Sequence, residues 1–413
     1  KRKYLFNAAV RADGSSRLAS QNRWRVFPSV SAAWYLSEEE FMKNQNLLSS
    51  LKFRLSYGEV GNQAISPYQT LTTLSQKTYN WGESGIFTWQ PSGIANANLG
   101  WEVSKTSNVG IDFGFNNVEV FGSVEYYHTI NSDLLMQQRL PGTTGFSSIW
   151  QNIGETVNQG IELSLSTHLI SKKDFQWGVG TMISRNWNEI TKLTGDKDDR
   201  SNQWFIGEPI GVVWDYKKEG IWQIDEAEEA RKYNMQPGEI KIVDRNGDYA
   251  FSDDDKFILG QREPKLIASL QSSMKYKNWD FTFNLVGEFG HLITASNYTA
   301  EWNADKFIID AIDWWTPLNP TNEWPRAHTA QGHKYSSTLN IFKGDFLKVQ
   351  SFAIGYDLTK LLNKNKINRL RVYGQGTNPW YVYKATLSDI NPEQPNTMYT
   401  IPATFIFGFN VNF

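Results

Sequence analysis

The stretch that decides the fold is the end of the chain, residues 403–413, ATFIFGFNVNF. Phenylalanine or valine occupies every second position from Phe405 to Phe413, and the alternate positions Thr404, Gly408, Asn410 and Asn412 are polar or small. Because successive side chains of a β-strand point to opposite faces, this pattern gives one apolar face and one polar face. The apolar face requires lipid or a protein core, and the polar face requires water.

The same alternation recurs along the chain, for example in residues 279–289, WDFTFNLVGEF. We count about twelve such segments, and most have the ~9–11 residues that a tilted membrane strand needs. They begin near Tyr4, Arg25, Leu51, Trp101, Val118, Glu155, Phe175, Lys265, Trp279, Phe346, Leu370 and Ala403.

The connections between these segments alternate in length. Residues 116–117, 171–174, 277–278 and 358–368 are short or modest connections, whereas 61–97, 131–153, 191–260, 291–344 and 381–400 are long. Long connections count against a compact soluble domain, but short periplasmic turns and long extracellular loops are typical of outer-membrane barrels. We therefore predict an all-β fold, a transmembrane antiparallel β-barrel. The acidic run after Ser37 also predicts an N-capped short helix over 38–48, at the periplasmic rim.

Composition supports a barrel and excludes several other classes of protein. The chain has 17 Trp, 18 Tyr and 24 Phe among 413 residues, yet its mean hydropathy is −0.49. A membrane β-barrel has both properties, because its aromatic girdles raise the aromatic content while its polar lumen and polar loops lower the mean hydropathy. No stretch approaches the ~20 apolar residues of a transmembrane helix. A net charge of −2 without a basic run argues against nucleic-acid binding, and the absence of cysteine excludes disulfides and thiolate chemistry.

Several specific motifs lie in the first 63 residues. Residues 10–17, VRADGSSR, precede 27–34, FPSVSAAW, and 51–58, LKFRLSYG, precede 61–63, GNQ. These motifs resemble those of SusC/RagA-like TonB-dependent outer-membrane transporters, and the similarity continues in the same order to the end of the chain. The later motifs are 237–241, PGEIK; 244–248, DRNGD; 258–260, ILG; 346–350, FLKVQ; 371–373, RVY; 377–379, TNP; and 402–405, PATF.

This resemblance implies a barrel of about 22 strands that is filled by an N-terminal plug. It also implies a TonB box, a SusD/RagB-like surface lipoprotein as an extracellular lid, and import of an oligosaccharide, glycan or peptide. Its setting is the outer membrane of Gram-negative Bacteroidota, among lipid and lipopolysaccharide. Residues 1–413 would be the C-terminal portion of the barrel, about its last twelve strands. Lys1 follows neither a start methionine nor a signal peptide, so we expect the plug, the TonB-binding part and the first strands to precede it.

The sharpest local motif is a candidate calcium loop. Positions 1, 3, 5, 7, 9 and 12 of an EF-hand-like loop are occupied by Asp244, Asn246, Asp248, Ala250, Ser252 and Asp255. This spacing can wrap side-chain oxygens and one backbone carbonyl around Ca²⁺. Tyr249 stands where the sharp turn usually needs glycine, and position 12 lacks the usual bidentate glutamate. The alternative interpretation is a solvated Asp/Asn/Gly turn.

Three further sets of residues have both a functional and a structural interpretation. The first set is the loop tryptophans, on which sugar rings or peptide side chains of a cargo could stack. In the structural interpretation, the same tryptophans pack within the loops or on the lipoprotein. They are Trp81, Trp89, Trp150, Trp204, Trp214, Trp222, Trp302, Trp314, Trp315 and Trp324. Lumen-facing charges could guide a cargo or hold the plug, or could simply line a hydrated wall: Lys52, Arg54, Asp112, Glu119, Glu125, Glu162, Asp280 and Glu288. Five histidines are scattered too widely for a metal site: His128, His168, His291, His328 and His333.

No catalytic motif stands out, so we expect a transporter and not an enzyme. The main alternative is a secreted β-rich protein that binds or hydrolyses carbohydrate. A passive porin or adhesin barrel is a third possibility.

Overall fold

The computed structural model describes residues 3–115, 119–295, 313–327, 333–361, 368–387, 390–396 and 401–412. The strands, in chain order, are β1 Tyr4–Gly14, β2 Trp24–Tyr35, β3 Leu48–Asn62, β4 Leu74–Trp81, β5 Ser84–Pro91, β6 Glu102–Phe115, β7 Glu119–Ser132, β8 Leu135–Arg139, β9 Ser148–Asn152, β10 Glu155–Ser171, β11 Phe175–Lys192, β12 Val212–Tyr216, β13 Lys218–Ile221, β14 Ile240–Ile242, β15 Lys256–Gln261, β16 Leu266–Tyr276, β17 Trp279–Phe289, β18 Leu292–Thr294, β19 Ile341–Lys343, β20 Phe346–Asp357, β21 Arg369–Lys384 and β22 Thr404–Asn412.

Helical structure is scarce in the described ranges. An α-helix, α1, covers Ala227–Lys232. Single 3₁₀ turns occur at Ser20–Asn22, Leu36–Glu38, Glu40–Met42, Gly142–Thr144, Thr194–Asp196, Asp253–Asp255, Ser336–Asn340 and Thr359–Leu361. No helix within the described residues has the length and apolar character to cross a membrane.

Twelve long strands pair antiparallel in the order β1-β2-β3-β6-β7-β10-β11-β16-β17-β20-β21-β22. They contain between 9 residues, in β22, and 18 residues, in β11. Most of their starts lie at or close to the predicted positions, and the strand expected from Val118 begins at Glu119, next to residues outside the described ranges. The predicted all-β fold with twelve long antiparallel strands is therefore confirmed.

The chain divides into two compact units, Lys1–Leu169 with Gly180–Ile210, and Ile170–Val179 with Gly211–Phe413. In the first unit, Val109 of β6 lies opposite Leu55 of β3 and Tyr126 of β7. Their side chains are 38%, 44% and 42% exposed, so an apolar face of the sheet lies open. Lys52 and Asp112 pair on the other face, as the alternation predicts.

The second unit repeats this division. One row of opposed residues runs across four neighbouring strands on the apolar face. It consists of Phe283 of β17, Phe352 of β20, Gly376 of β21 and Phe405 of β22. Two positions further along β22, Phe407 is 85% exposed. The alternation in residues 403–413 therefore does place an open aromatic row on one face.

The helix predicted over 38–48 is wrong, and Glu39 is the physical reason. Its backbone is extended, with φ −77° and ψ 149°, and it separates two 3₁₀ turns. Its carboxylate accepts hydrogen bonds from Tyr4 Oη at 2.7 Å, Lys3 Nζ at 2.9 Å and Trp34 Nε1 at 3.1 Å. These donors, Tyr4 first among them, lower the pKa of Glu39 to about 2. The Glu39 side chain therefore bonds the turn to β1 and β2. In a continuous helix over 38–48 this side chain would point in another direction and lose these bonds.

Most buried apolar side chains lie in the connections and strand ends. In the first unit, one cluster consists of Leu18, Phe27, Ile65, Leu99, Trp101 and Val103. In the second unit, the largest cluster consists of Ile221, Ile240, Ile242, Trp315 and Leu339. Short strand pairs accompany these clusters: β4 with β5, β8 with β9, β12 with β15, β13 with β14, and β18 with β19. The long connections are thus folded layers with their own cores.

The two faces of β7 predict opposite responses to a new charge. Val124 is 40% exposed on the apolar face, opposite Ile111 and Leu163, whereas Ser123 lies on the polar face opposite Asp112. In the transmembrane barrel that the sequence predicts, Val124→Arg should destabilise the protein by up to about 2–4 kcal/mol, because the guanidinium would face hydrocarbon. Ser123→Arg is the matched control and should be tolerated. The measurement is the folded fraction on unheated SDS gels of outer membranes; equal losses in both variants would contradict this assignment of faces.

Candidate functional site

Four of the charges predicted to face the lumen form one network on the polar face of the first unit. Arg54 Nε donates to Asp112 Oδ2 at 2.9 Å and Arg54 Nη2 donates to Asp112 Oδ1 at 2.7 Å, a bidentate pair. The same Nη2 reaches Glu125 Oε1 at 2.6 Å, and Lys52 Nζ lies 3.5 Å from Asp112. A planar guanidinium fork matches a carboxylate in this way, so the network fixes three strands at one level of the wall.

The polar face of the second unit has a more buried ion pair. Lys348 Nζ lies 2.7 Å from both carboxylate oxygens of Glu393, and the lysine side chain is only 6% exposed. Tyr381 Oη donates a hydrogen bond of 2.8 Å to Glu393 or one of 2.9 Å to Asn391 Oδ1. These bonds hold the segment 390–396 against β20 and β21.

Sequence reasoning missed Lys348, Glu393 and Tyr381. The strand pattern of β20 was a usable signal for Lys348, because it places the lysine on the face opposite its aliphatic neighbours. Nothing local marked Glu393, which lies in a loop 45 residues further along the chain. Arg371, also missed, forms a bidentate pair with the predicted Asp280, with Nε 2.8 Å from Oδ1.

Of the remaining predicted charges, Glu288 interacts electrostatically with Lys348 and Glu393. Glu119 lies 3.3 Å from His168, and both side chains are exposed. Glu162 lies opposite Glu125 in the β7–β10 register. Glu288 lies opposite Ile267 and is half-buried.

Four of the ten predicted loop tryptophans pack inside the loops. Trp222 and Trp315 are 2% and 5% exposed, and Trp150 and Trp324 pack against buried clusters. The half-buried members are Trp204, Trp214 and Trp314, and Trp302 lies outside the described residues. Trp81 and Trp89, on the β4–β5 pair, are 70% and 65% exposed. The packing interpretation therefore holds for the buried members, and these two remain available for a ligand or partner.

The candidate calcium loop forms a compact turn held by its own polar groups. Gly247 N–H and Tyr249 N–H donate to the two oxygens of Asp244, at 2.7 and 3.1 Å. Tyr249 has φ +61°, the left-handed conformation that glycine provides in such loops. The residue that argued against an EF-hand-like turn therefore adopts the backbone that the turn requires.

Asp255 closes this loop from the inside. It is completely buried and accepts hydrogen bonds from Arg245 N–H at 3.0 Å and Ser252 N–H at 2.8 Å. Desolvation opposes ionisation of Asp244, but hydrogen bonds from the backbone N–H groups of Gly247, Tyr249 and Asn246 and from the Tyr233 hydroxyl together hold the pKa of Asp244 below its ordinary value.

The other oxygen-bearing residues of the loop bind its backbone. Asn246 Oδ1 accepts from Asp248 N–H at 3.0 Å, and Asp248 Oδ1 accepts from Ala250 N–H at 2.8 Å. In the described part of the chain, no group of three or more His, Cys, Asp or Glu side chains is arranged to hold a metal ion. His328 lies outside that part.

Comparison with known proteins identifies the family of this chain. The family model described as "TonB dependent receptor-like, beta-barrel" matches residues 2–217, which is 216 of the 413 residues. The chain belongs to this TonB-dependent receptor family.

Two individual members of the family are similar to the whole of this chain. TonB-dependent receptor P26 of Formosa agariphila is 32% identical over an alignment that covers all of this chain and 45% of that protein. TonB-dependent receptor SusC of Bacteroides thetaiotaomicron is 30% identical, with all of this chain and 42% of SusC covered. The receptor chain thus spans less than half the length of these relatives.

Solved structures share its fold. The RagAB peptide importer in its open-open state matches with a TM-score of 0.81 at 22% identity, covering 100% of this chain and 45% of that one. The RagAB peptide transporter matches at 0.76 and 23% identity, covering 93% and 43%. The resemblance to SusC/RagA-like TonB-dependent transporters is confirmed.

The Lys348–Glu393 pair gives a double-mutant test. Removing Glu393 leaves the buried ammonium of Lys348 without its partner, so Glu393→Gln should lower the free energy of unfolding by about 3–5 kcal/mol. Lys348→Met combined with Glu393→Gln should recover most of that loss, because both charges are gone. Thermal unfolding of the detergent-solubilised receptor measures both. Additive losses in the double variant would show that the two side chains act independently.

Asp255 gives a second test, local to the loop. Asp255→Asn replaces one acceptor oxygen by an NH₂ group next to a backbone N–H, which costs about 1–3 kcal/mol. Tryptic cleavage after Arg245 should therefore speed up at least about five-fold. Asp253→Asn is the control, because Asp253 is 59% exposed and pairs only with Lys256 among the interactions resolved for it. Equal cleavage of the two variants would contradict a closing role for Asp255.

Proposed function

We propose that this chain is the barrel part of an outer-membrane, TonB-dependent importer of a bulky nutrient, an oligosaccharide, glycan or peptide. The observation that carries the proposal is the two-faced sheet, open and apolar on one side and ion-paired on the other, in a member of the TonB-dependent receptor family. Its task is transport and not catalysis.

The polar face supplies a lining suited to hydrated cargo. Carboxylates such as Asp112 and Asp280 are matched by arginines of nearby strands, so the charges of these groups are compensated. A polar cargo would then meet hydroxyl, amide and paired charged groups without a strong electrostatic trap. This arrangement favours passage over tight binding.

The first and last strands of the twelve-strand order that the structure describes, β1 and β22, each have one neighbouring strand instead of two. Among the described residues, β1 pairs with β2 alone and β22 with β21 alone. Unpaired backbone groups are costly in hydrocarbon, so we propose that strands absent from this chain complete the barrel. The resemblance assigns to that missing part an N-terminal plug and the segment that binds TonB. It assigns to the long-loop side a SusD/RagB-like lipoprotein, in a membrane of lipid and lipopolysaccharide.

Cell fractionation and growth test this proposal together. The protein should sediment with outer membranes and require detergent, and a deletion strain should lose growth on one class of oligosaccharide or peptide as sole nutrient. Complementation with the intact gene should restore growth, whereas the same gene without its TonB box should not. A soluble protein secreted into the medium would refute the proposal in favour of a carbohydrate-binding or hydrolytic protein. Growth restored without the TonB box would favour a passive porin.

We also propose that loop 244–255 binds Ca²⁺ as a structural brace. The support is the six-position spacing together with the left-handed backbone of Tyr249. Binding would have to recruit the free lone pairs of carboxylates that already accept backbone N–H groups.

Calorimetric titration of the receptor with Ca²⁺ tests the brace. Wild type should give a saturable isotherm, and Asp244→Ala should abolish it, because Asp244 is the first ligand position. Asp253→Ala is the control, since Asp253 lies outside the six positions. Identical isotherms for wild type and Asp244→Ala would remove the site.

A further inference from the structure

A polar pocket of about 480 Å³ opens in the first unit, where β2 begins and β6 begins. Its volume falls within the range of small-molecule sites, ~300–1,000 Å³. It is lined by Gln21, Asn22, Trp24, Arg25, Val26, Asn98, Gly100, Trp101, Asp133 and Asn152. Neither the polar lining of the sheet nor the calcium loop includes any of these residues.

The wall of the pocket is held in place by hydrogen bonds between side chains and backbone. Asn152 Oδ1 accepts from Gly100 N–H at 2.7 Å, and Asn152 Nδ2 donates to the carbonyls of Gly100 and Asp133 at 3.0 and 2.9 Å. Asn22 Nδ2 donates to the Asn98 carbonyl at 2.8 Å. Behind this wall lies the buried cluster that includes Trp101. The pocket is therefore pre-formed by bonds that a ligand does not have to break.

Polar groups remain unused at its surface. Within the described residues, the Arg25 guanidinium and the Asp133 carboxylate have no hydrogen-bond or ion-pair partner. Asp13, which lies opposite Arg25 in the strand register, is already paired with Arg11 at 2.7 Å. From the part of the chain that the structure describes, the pocket therefore offers one free cation and one free anion to a ligand that both donates and accepts hydrogen bonds.

Trp24 supplies a flat apolar surface beside these groups. Its ring lies against Gly14 of β1, where a Cβ would stand only 2.9 Å from three ring atoms, and yet the side chain is 71% exposed. One ring face is thus backed by the strand and the other is open. A pyranose ring has an apolar C–H face, which the indole can hold, and a rim of hydroxyls, which the Asp133 carboxylate and the amide side chains of the pocket can hold.

The position of Trp24 indicates where such a sugar would come from. By strand register Trp24 shares the exposed apolar face with Val10, Val26 and Val30, and it lies at the end of β2 that joins a connection. In a membrane barrel, an aromatic side chain at that margin lies at the boundary between hydrocarbon and water. The saccharide nearest to that boundary is the head group of a membrane glycolipid.

We propose that this pocket binds a sugar of the head group of an outer-leaflet glycolipid, with Trp24 as the stacking surface. The inference rests on the proposed membrane location and goes beyond the transport function. A free oligosaccharide cargo has the same chemistry, so the experiment has to separate the two sources.

The test uses the native protein extracted from outer membranes in detergent and freed of bound glycolipid. Calorimetry compares the core oligosaccharide of deacylated lipopolysaccharide with maltoheptaose, a free glucan. The core oligosaccharide should bind, maltoheptaose should bind at least about ten-fold more weakly, and Trp24→Ala should weaken core binding about ten-fold. Trp24→Phe keeps an aromatic face and should stay close to wild type. Trp81→Ala removes an equally exposed tryptophan, 70%, outside the pocket and should have no effect.

Three results would overturn the proposal: no binding of the core oligosaccharide, tighter or equal binding of maltoheptaose, or equal affinities for wild type and Trp24→Ala. Nutrient uptake is a separate measurement. Trp24→Ala should leave uptake unchanged, so loss of the sugar site and failure of the transport function give different results.

Discussion

Backbone hydrogen bonding is the constraint on which the rest of this structure depends. Hydrocarbon offers no water to an unpaired N–H or C=O group, so a chain that crosses a membrane by strands has to give every strand two neighbours. Twelve long strands meet this requirement for all interior positions of the order, each pairing antiparallel with its neighbours. Once the register is set, the face of every side chain follows. Leu55 and Val109 then share the apolar face, while Lys52 and Asp112 share the other.

The polar face shows how charge is accommodated under that constraint. A charged side chain on a strand has only one face where water or a partner is available, so its partner has to come from a neighbouring strand or from a loop that folds back. Arg54 finds Asp112 on the neighbouring strand and Glu125 one strand further. Lys348 finds Glu393 in a loop. Because such pairs join distant segments, the wall and the loops are positioned by the same interactions.

The periodicity of the sequence predicted the strands, but it did not predict which charged side chains pair. The alternation in each strand depends on neighbours two positions apart, which are visible locally, so the twelve strands and their faces were predictable. The helix over 38–48 failed because Glu39 binds Lys3, Tyr4 and Trp34, contacts that no local pattern contains. Most of the loop tryptophans, such as Trp222, were equally ambiguous, since burial depends on which loop folds over them.

The sequence by itself determined the two-faced strands, the alternation of short and long connections, the charged residues of one face and the resemblance to the TonB-dependent receptor family. The tertiary structure decided which charges pair, which aromatic side chains are buried, and that Tyr249 adopts a left-handed backbone in the acidic loop. It also decided that Asp133, which follows β7, lines one pocket with Trp24 and Arg25 of β2. The physical reason is range: side-chain alternation is set by adjacent residues, whereas burial and pairing are set by segments that meet only when the chain has folded.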